Sequence, residues 1–147
     1  MANRLPAPSF VALGVLRIVS GLIFLAHGTQ KFLSFPGGER AGAGWSFAGP
    51  SAFAGIIELV AGALLVVGLF SRPAAFIASG TMAVAYWLMH APQNFFPVNN
   101  GGDAAILYCF VFLYIVFAGP GAWSLDGILA RRRRERRDGP ATAGAGD

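Results

Sequence analysis

Four long apolar stretches constrain this chain more than any other feature of its sequence. They cover approximately residues 10–27, 47–70, 73–91 and 103–119. As α-helices rising 1.5 Å per residue, they would each be about 25–36 Å long, which matches a hydrocarbon core of about 30 Å. The segments between them are rich in Gly and Pro, which favour turns. The sequence therefore predicts an all-α fold, namely an integral membrane four-helix bundle.

The composition supports a surface that lies in lipid rather than in water. Among the 147 residues, 55% are hydrophobic and only 12% are charged, and the mean hydropathy is +0.59. A soluble domain typically uses about 25% charged residues to cover its surface. The length allows one domain.

The chain divides into a membrane domain and a basic tail. Residues 1–130 are predicted to form the transmembrane domain. Its last part, about 123–130, has helical spacing of apolar groups and is predicted to lie on the membrane as an interfacial helix. Residues 131–147 are predicted to form a disordered cytoplasmic tail.

The distribution of basic residues predicts the orientation. Arg4, Arg72 and six tail arginines flank one side of the spans, whereas Lys31 and Arg40 flank the other. Eight against two places both termini in the cytoplasm of a multi-pass protein in the plasma or inner membrane. Because no aromatic residues interleave with the tail arginines, we expect them to meet anionic lipid and not nucleic acid.

Two charges lie inside the predicted spans, Arg17 in the first and Glu58 in the second. Burying them in lipid is costly, so they are expected to face the bundle and to meet each other. Such a pair has two interpretations. It either fixes helix register, or it lines a cavity that handles a proton or an anion.

Further polar groups are predicted to converge at the outer ends of the spans. Arg17, Ser20, Phe24, His27 and Lys31 share one face of the first helix. The candidate cavity and ligand-binding residues are Arg17, His27, Lys31, Glu58, Tyr86, His90, Asn99 and Asp103. Individually, the outer groups can also be explained as snorkelling or helix-capping side chains.

The sequence offers no evident cofactor site. His27, His90 and Asp103 lack the spacing of metal ligands, so no metal is predicted. A haem between the two histidines is disfavoured. The single cysteine, Cys109, cannot perform dithiol chemistry alone.

Three stretches resemble the DoxX family of small four-helix membrane proteins. They run from Leu16-Arg17 through His27-Gly28 to Lys31, from Glu58 through Leu65 to Arg72, and from Gly119-Pro120-Gly121 to Asp126. The resemblance covers about residues 13–130. It implies a link to oxidoreductases, because some relatives are subunits of a thiosulfate:quinone oxidoreductase, but it carries over no catalytic residue set.

The leading hypothesis is a membrane subunit of a quinone-linked oxidoreductase system that binds a quinone or a small anion between its helices. Its electrons would come from a protein partner carrying a redox centre. The alternatives are a non-enzymatic assembly or scaffold subunit, and a small transporter, for which four helices suffice only in a homo-oligomer. Whether the chain is an enzyme stays open at this point.

Overall fold

The computed structural model describes residues 7–38, 41–42 and 49–138, and within these ranges the protein is helical and has no strand. A single π-helical turn, Tyr86–His90, continues the third helix. The α-helices of the described ranges are α1 (Ala7–Leu33), α2 (Pro50–Val67), α3 (Ser71–Ala85), α4 (Pro97–Asn100), α5 (Asp103–Ala118) and α6 (Leu125–Asp138).

Local chemistry explains where these helices begin and end. Pro50 stands at the start of α2, where its missing N–H costs nothing. Gly68 ends α2 with φ of 70°, and its N–H bonds back to carbonyls of the last turn. This left-handed conformation is open to glycine without a steric penalty. Pro73 lies in the first turn of α3, where proline is tolerated because the first N–H groups of a helix have no partner within it.

Each of the four long helices, α1, α2, α3 and α5, packs against antiparallel neighbours. α1 packs against α2, α2 against α3, and α3 against α5, while α5 also contacts α1. The hydrogen bond from Ser79 Oγ to the Cys109 carbonyl, 2.8 Å long, joins α3 to α5 near mid-length. Large and small apolar side chains share the centre, among them Phe24, Leu65, Ala78, Phe112 and Ile115, each at most 1% exposed.

The outer surface of the bundle carries many large apolar side chains. Leu22 and Ile23 on α1, Val60 on α2 and Phe76 on α3 are all about half exposed or more, and so is Phe110 on α5. Large hydrophobic side chains are thus directed outward along every long helix. The buried set, by contrast, includes several charged or hydroxyl-bearing side chains.

The helix bounds differ from the predicted spans. α1 begins earlier and ends six residues later than the predicted 10–27, which brings Lys31 inside the helix. Of the described helices, α1 alone is both long and apolar enough to cross a membrane by itself, whereas α2 and α5 are shorter apolar helices. The count of four spans therefore stays a prediction.

The basic tail is the clearest correction in the fold. Residues 131–138, predicted to be disordered, continue the predicted interfacial helix as one helix, α6. Arginine is a good helix former and the i,i+4 pair of Arg131 with Glu135 adds support, which explains the continuation. Arg4, Arg40 and residues 139–147, used in the topology and tail predictions, lie outside the described residues.

Candidate functional site

Most of the buried polar side chains lie towards the two ends of the bundle. One end, here the Lys31 end, holds the buried side chains of Lys31, Glu58 and Asn100. The opposite end, here the Arg17 end, holds those of Arg17, Ser71 and Ser124. Between them, Phe24 packs edge-on against Phe112, with ring centroids 4.9 Å apart.

An ion pair joins α1 to α2 at the Lys31 end. Lys31 Nζ lies 2.7 Å from Glu58 Oε1, and the two side chains are only 10% and 6% exposed. His27 precedes Lys31 by one turn on the same face and is half-buried. The structure therefore brings together three of the predicted site residues, two of them in direct contact.

Glycines allow the two helices to approach closely around this pair. A Cβ at Gly28 would lie 2.7 Å from the backbone nitrogen of Leu59. On the facing helix, a Cβ at Gly55 would lie 3.1 Å from Lys31 Cδ, so the lysine stem passes over the glycine. Small residues at such positions let helix backbones come together in apolar surroundings.

The predicted ion pair between Arg17 and Glu58 is wrong. Glu58 pairs with Lys31, whereas Arg17 Nε donates to the carbonyl of Leu65 over 2.9 Å. In the antiparallel packing Arg17 is level with Leu65, seven residues or about 10 Å further along α2 than Glu58. The prediction failed because it assumed that the two charges inside the neighbouring spans lie at the same depth, and it did not consider Lys31 as the partner of Glu58.

His90 and Tyr86 form a second group at the Lys31 end. His90 Nδ1–H donates to the carbonyl of Asn100 over 2.9 Å, and its ring stacks on that of Tyr86. Asn100 in turn donates to the Asn94 carbonyl and accepts the N–H of Gly102, both over 2.8 Å. These contacts fold the loop between α3 and α5, so the visible role of His90 is to hold that loop.

Asp103 and Asn99 are both exposed. Asp103 Oδ1 accepts the N–H of Ala104 at the start of α5, a local interaction. Between these groups and Arg17, the side chains of Phe24, Leu65 and Phe112 pack together in the buried core. A ligand at the Lys31 end must therefore approach from outside the bundle.

Arg17 binds backbone carbonyls at the opposite end. It is fully buried, and besides Leu65 it donates to the carbonyls of Pro120 and Trp123 in the segment between α5 and α6. The carbonyls at the end of α2 carry partial negative charge from the helix dipole, which suits a cation. Arg17 therefore joins α1, α2 and the α5–α6 connection.

Asp126 completes this end, and sequence reasoning did not single it out. Its two carboxylate oxygens accept the N–H groups of Phe70 and Ser71 over 2.9 and 2.8 Å, at the start of α3. Its own N–H donates to the Gly68 carbonyl over 2.9 Å. The sequence signal that could have revealed this contact is the Gly-Pro-Gly-Ala-Trp-Ser-Leu-Asp stretch. Its turn and the start of α6 contact the turn between α2 and α3.

Within residues 7–38, 41–42 and 49–138, no three His, Cys, Asp or Glu side chains are grouped to hold a metal ion.

Comparison with known proteins places these features in a family. The DoxX family model matches residues 12–91, more than half of the chain, including Arg17, Lys31 and Glu58. A protein of Haemophilus influenzae is 48% identical over 128 residues, covering 85% of this chain and 94% of the relative. An uncharacterized membrane protein of Mycobacterium tuberculosis is 29% identical over 132 residues, covering 80% of each chain. No solved structure matches significantly.

Proposed function

The chain belongs to the DoxX family, and from this premise we propose that it is a multi-pass membrane subunit of a quinone-linked oxidoreductase system, with its ligand site at the Lys31–Glu58 pair. The buried ion pair is the observation that carries the proposal. The family resemblance predicted from the sequence is confirmed, and the family together with the membrane relative indicates a membrane location.

The distribution of polar and apolar side chains supports several membrane-spanning helices. Buried Lys31, Glu58 and Arg17 lie among helices whose outward side chains are large and apolar. In water this arrangement would leave a large apolar surface exposed, whereas in lipid that surface is favourable. Because α2 runs back along α1 over its length, a membrane that contains α1 also surrounds α2. The 18 residues of α2 and 16 of α5 give about 24–27 Å, a mismatch that slight bilayer thinning accommodates.

The Lys31–Glu58 pair has the chemistry that a quinone or a small anion requires. An ammonium group donates hydrogen bonds to a quinone carbonyl or to an anion, and a carboxylate or imidazole can supply or accept the protons that accompany reduction. Ionisable groups at membrane depth are expensive and commonly mark functional sites. Lys31 would hold the ligand, while Glu58 and half-buried His27 would exchange protons.

The electrons require a second protein in this proposal. With one cysteine in the chain, dithiol redox chemistry is excluded for a single copy. A partner with its own redox centre would therefore dock on the membrane subunit, and the quinone would carry electrons onward in the lipid phase.

The closed core favours a second candidate function, a non-enzymatic assembly subunit. Arg17 is committed to three carbonyl groups, and Lys31 and Glu58 neutralise each other. All three residues would then only stabilise a scaffold on which other subunits assemble.

Purification in mild detergent separates these functions. We expect quinone to copurify with the protein, detected by mass spectrometry of an organic extract. The Lys31→Met/Glu58→Gln variant removes both charges together, so it should stay folded and lose the quinone. The matched control Arg72→Gln, at an exposed position, should retain it. A stable protein partner without any small molecule would favour the scaffold, and quinone kept by the double variant would move the site elsewhere.

A further inference from the structure

The first turn of helix α6 is fixed to the bundle, and the rest of the helix is strongly basic and exposed. Its first turn is held through Asp126, which binds the start of α3, and through Ser124 Oγ, which accepts the N–H of Gly127. Residues 131–137 beyond it are exposed. The anchored turn determines which face of α6 is turned towards the α2–α3 turn.

A groove of about 410 Å³ lies between that face and the α2–α3 turn. Its lining combines an apolar floor with a basic rim. The floor consists of Leu69, Phe70 and Leu129, and the rim of Arg133, Arg134 and Arg137. Arg137 lies four residues after Arg133 and three after Arg134, so the rim arginines share one helix face.

The three arginines of the rim concentrate positive charge beside the groove. The ion pair of α6 joins Arg131 to Glu135 at 3.6 Å, and neither residue lines the groove. Asp126, the acidic residue of the lining, already accepts two backbone N–H groups. Guanidinium groups bind phosphate oxygens in a bidentate manner, so three of them beside one groove match a phosphate group.

The floor adds a requirement that a soluble phosphate would not meet. Phe70 is 63% exposed and Leu129 45% exposed, so an occupant with a hydrocarbon chain would bury apolar surface here. In the orientation predicted from the basic residues, this end lies at the cytoplasmic leaflet, which is rich in anionic lipid.

We propose that this groove is a binding site for one anionic phospholipid, with the headgroup phosphate held by Arg133, Arg134 and Arg137 and an acyl chain lying along Leu69, Phe70 and Leu129. The proposal is independent of the quinone site at the opposite end. It differs from a general attraction of the basic helix to a charged membrane, because only one face of α6 takes part.

Two charge-matched variants test this difference. Arg133→Gln/Arg134→Gln/Arg137→Gln removes three charges from the groove face, and Arg131→Gln/Arg132→Gln/Arg136→Gln removes three from positions outside the groove. The full-length chain is released from detergent with equal amounts of phosphatidylglycerol and phosphatidylcholine, and the lipids that remain bound are counted by native mass spectrometry.

We expect the unmodified protein to retain phosphatidylglycerol in preference to phosphatidylcholine. The groove-face variant should lose this preference, with an affinity reduced on the order of tenfold or more, while the other variant should change little. Glycerol phosphate in the buffer should not displace the lipid, since it lacks the acyl chain. Equal losses in both variants would show general electrostatic attraction and overturn the proposal, and so would displacement by glycerol phosphate.

Discussion

Arg17 and Lys31 are cations of the same helix whose charges are stabilised in different ways. Arg17 is surrounded by three carbonyl groups from two parts of the chain, while Lys31 meets a carboxylate. The planar guanidinium has several donors in fixed directions, which suits several fixed acceptors. The ammonium group of Lys31 is a compact charge that suits a single close anion. The two residues therefore differ in how well they tolerate substitution.

Replacing Arg17 by lysine should destabilise the protein although the charge is kept. A lysine cannot reach the three carbonyls in their present directions, and hydrogen bonds from a charged group are each worth about 1.5–3 kcal/mol. We expect a loss of at least about 2 kcal/mol, measured by thermal unfolding in detergent. The control Arg72→Lys, at an exposed position, should change stability by about 0.5 kcal/mol or less. Equal shifts for both variants would contradict the role given to Arg17.

The Lys31–Glu58 pair should show strong energetic coupling. Lys31→Ala and Glu58→Ala each leave one charge in apolar surroundings, which costs about 3–5 kcal/mol for buried pairs in soluble proteins. Removing both side chains avoids that penalty, so the double variant should recover part of the loss. The same cycle applied to Arg17 and Glu58 should be close to additive. Additive shifts for Lys31 and Glu58 would rule out a direct interaction.

At the scale of the helices, the contact between α1 and α2 depends on small residues. A Cβ at Gly62 would lie 2.8 Å from the backbone of Leu25, whereas one at Gly80 would meet nothing within 4 Å. Both glycines are inside helices. They form a matched pair for testing how closely α1 and α2 must approach.

We therefore expect Gly62→Ala to lower stability and Gly80→Ala to raise it. At Gly80 the added methyl favours the helix by up to about 1 kcal/mol. At Gly62 the methyl must push two backbones apart, which outweighs the same gain and costs about 1–3 kcal/mol net. Thermal unfolding of the two variants in detergent gives the comparison. A stabilised Gly62→Ala protein would mean that the helices are less tightly packed than described.

The sequence predicts the positions of the helices better than it predicts which groups contact each other. Apolar stretches bounded by Gly and Pro place α2, α5, and α3 together with its π-helical turn to within a few residues, because these signals are local. The partner of Glu58 could not be obtained in this way, since it depends on where α1 ends and how α1 and α2 are aligned. The carbonyls that bind Arg17 carry no sequence signal, because every residue has one.

At the scale of the whole bundle, the described residues combine buried charges with large apolar side chains on the outer surface. This arrangement connects the residue and helix scales, because the buried pair and the exposed Leu, Val and Phe side chains are both explained by lipid around the helices. In the topology predicted from the basic residues, the two proposed sites lie at opposite leaflets, with the Lys31 end outside and α6 inside.

Cysteine labelling in intact cells tests this central claim most directly. In a Cys109→Ala background, single cysteines replace exposed Asn99, outward-facing Val60, which is 57% exposed, and Ala141 of the tail. With a membrane-impermeant thiol reagent, we expect Asn99→Cys to react from outside and Ala141→Cys to react only after the cells are opened. Val60→Cys should stay unreactive in both cases, because thiols in hydrocarbon do not ionise. Labelling of Val60→Cys, or of Ala141→Cys but not Asn99→Cys in intact cells, would contradict the account.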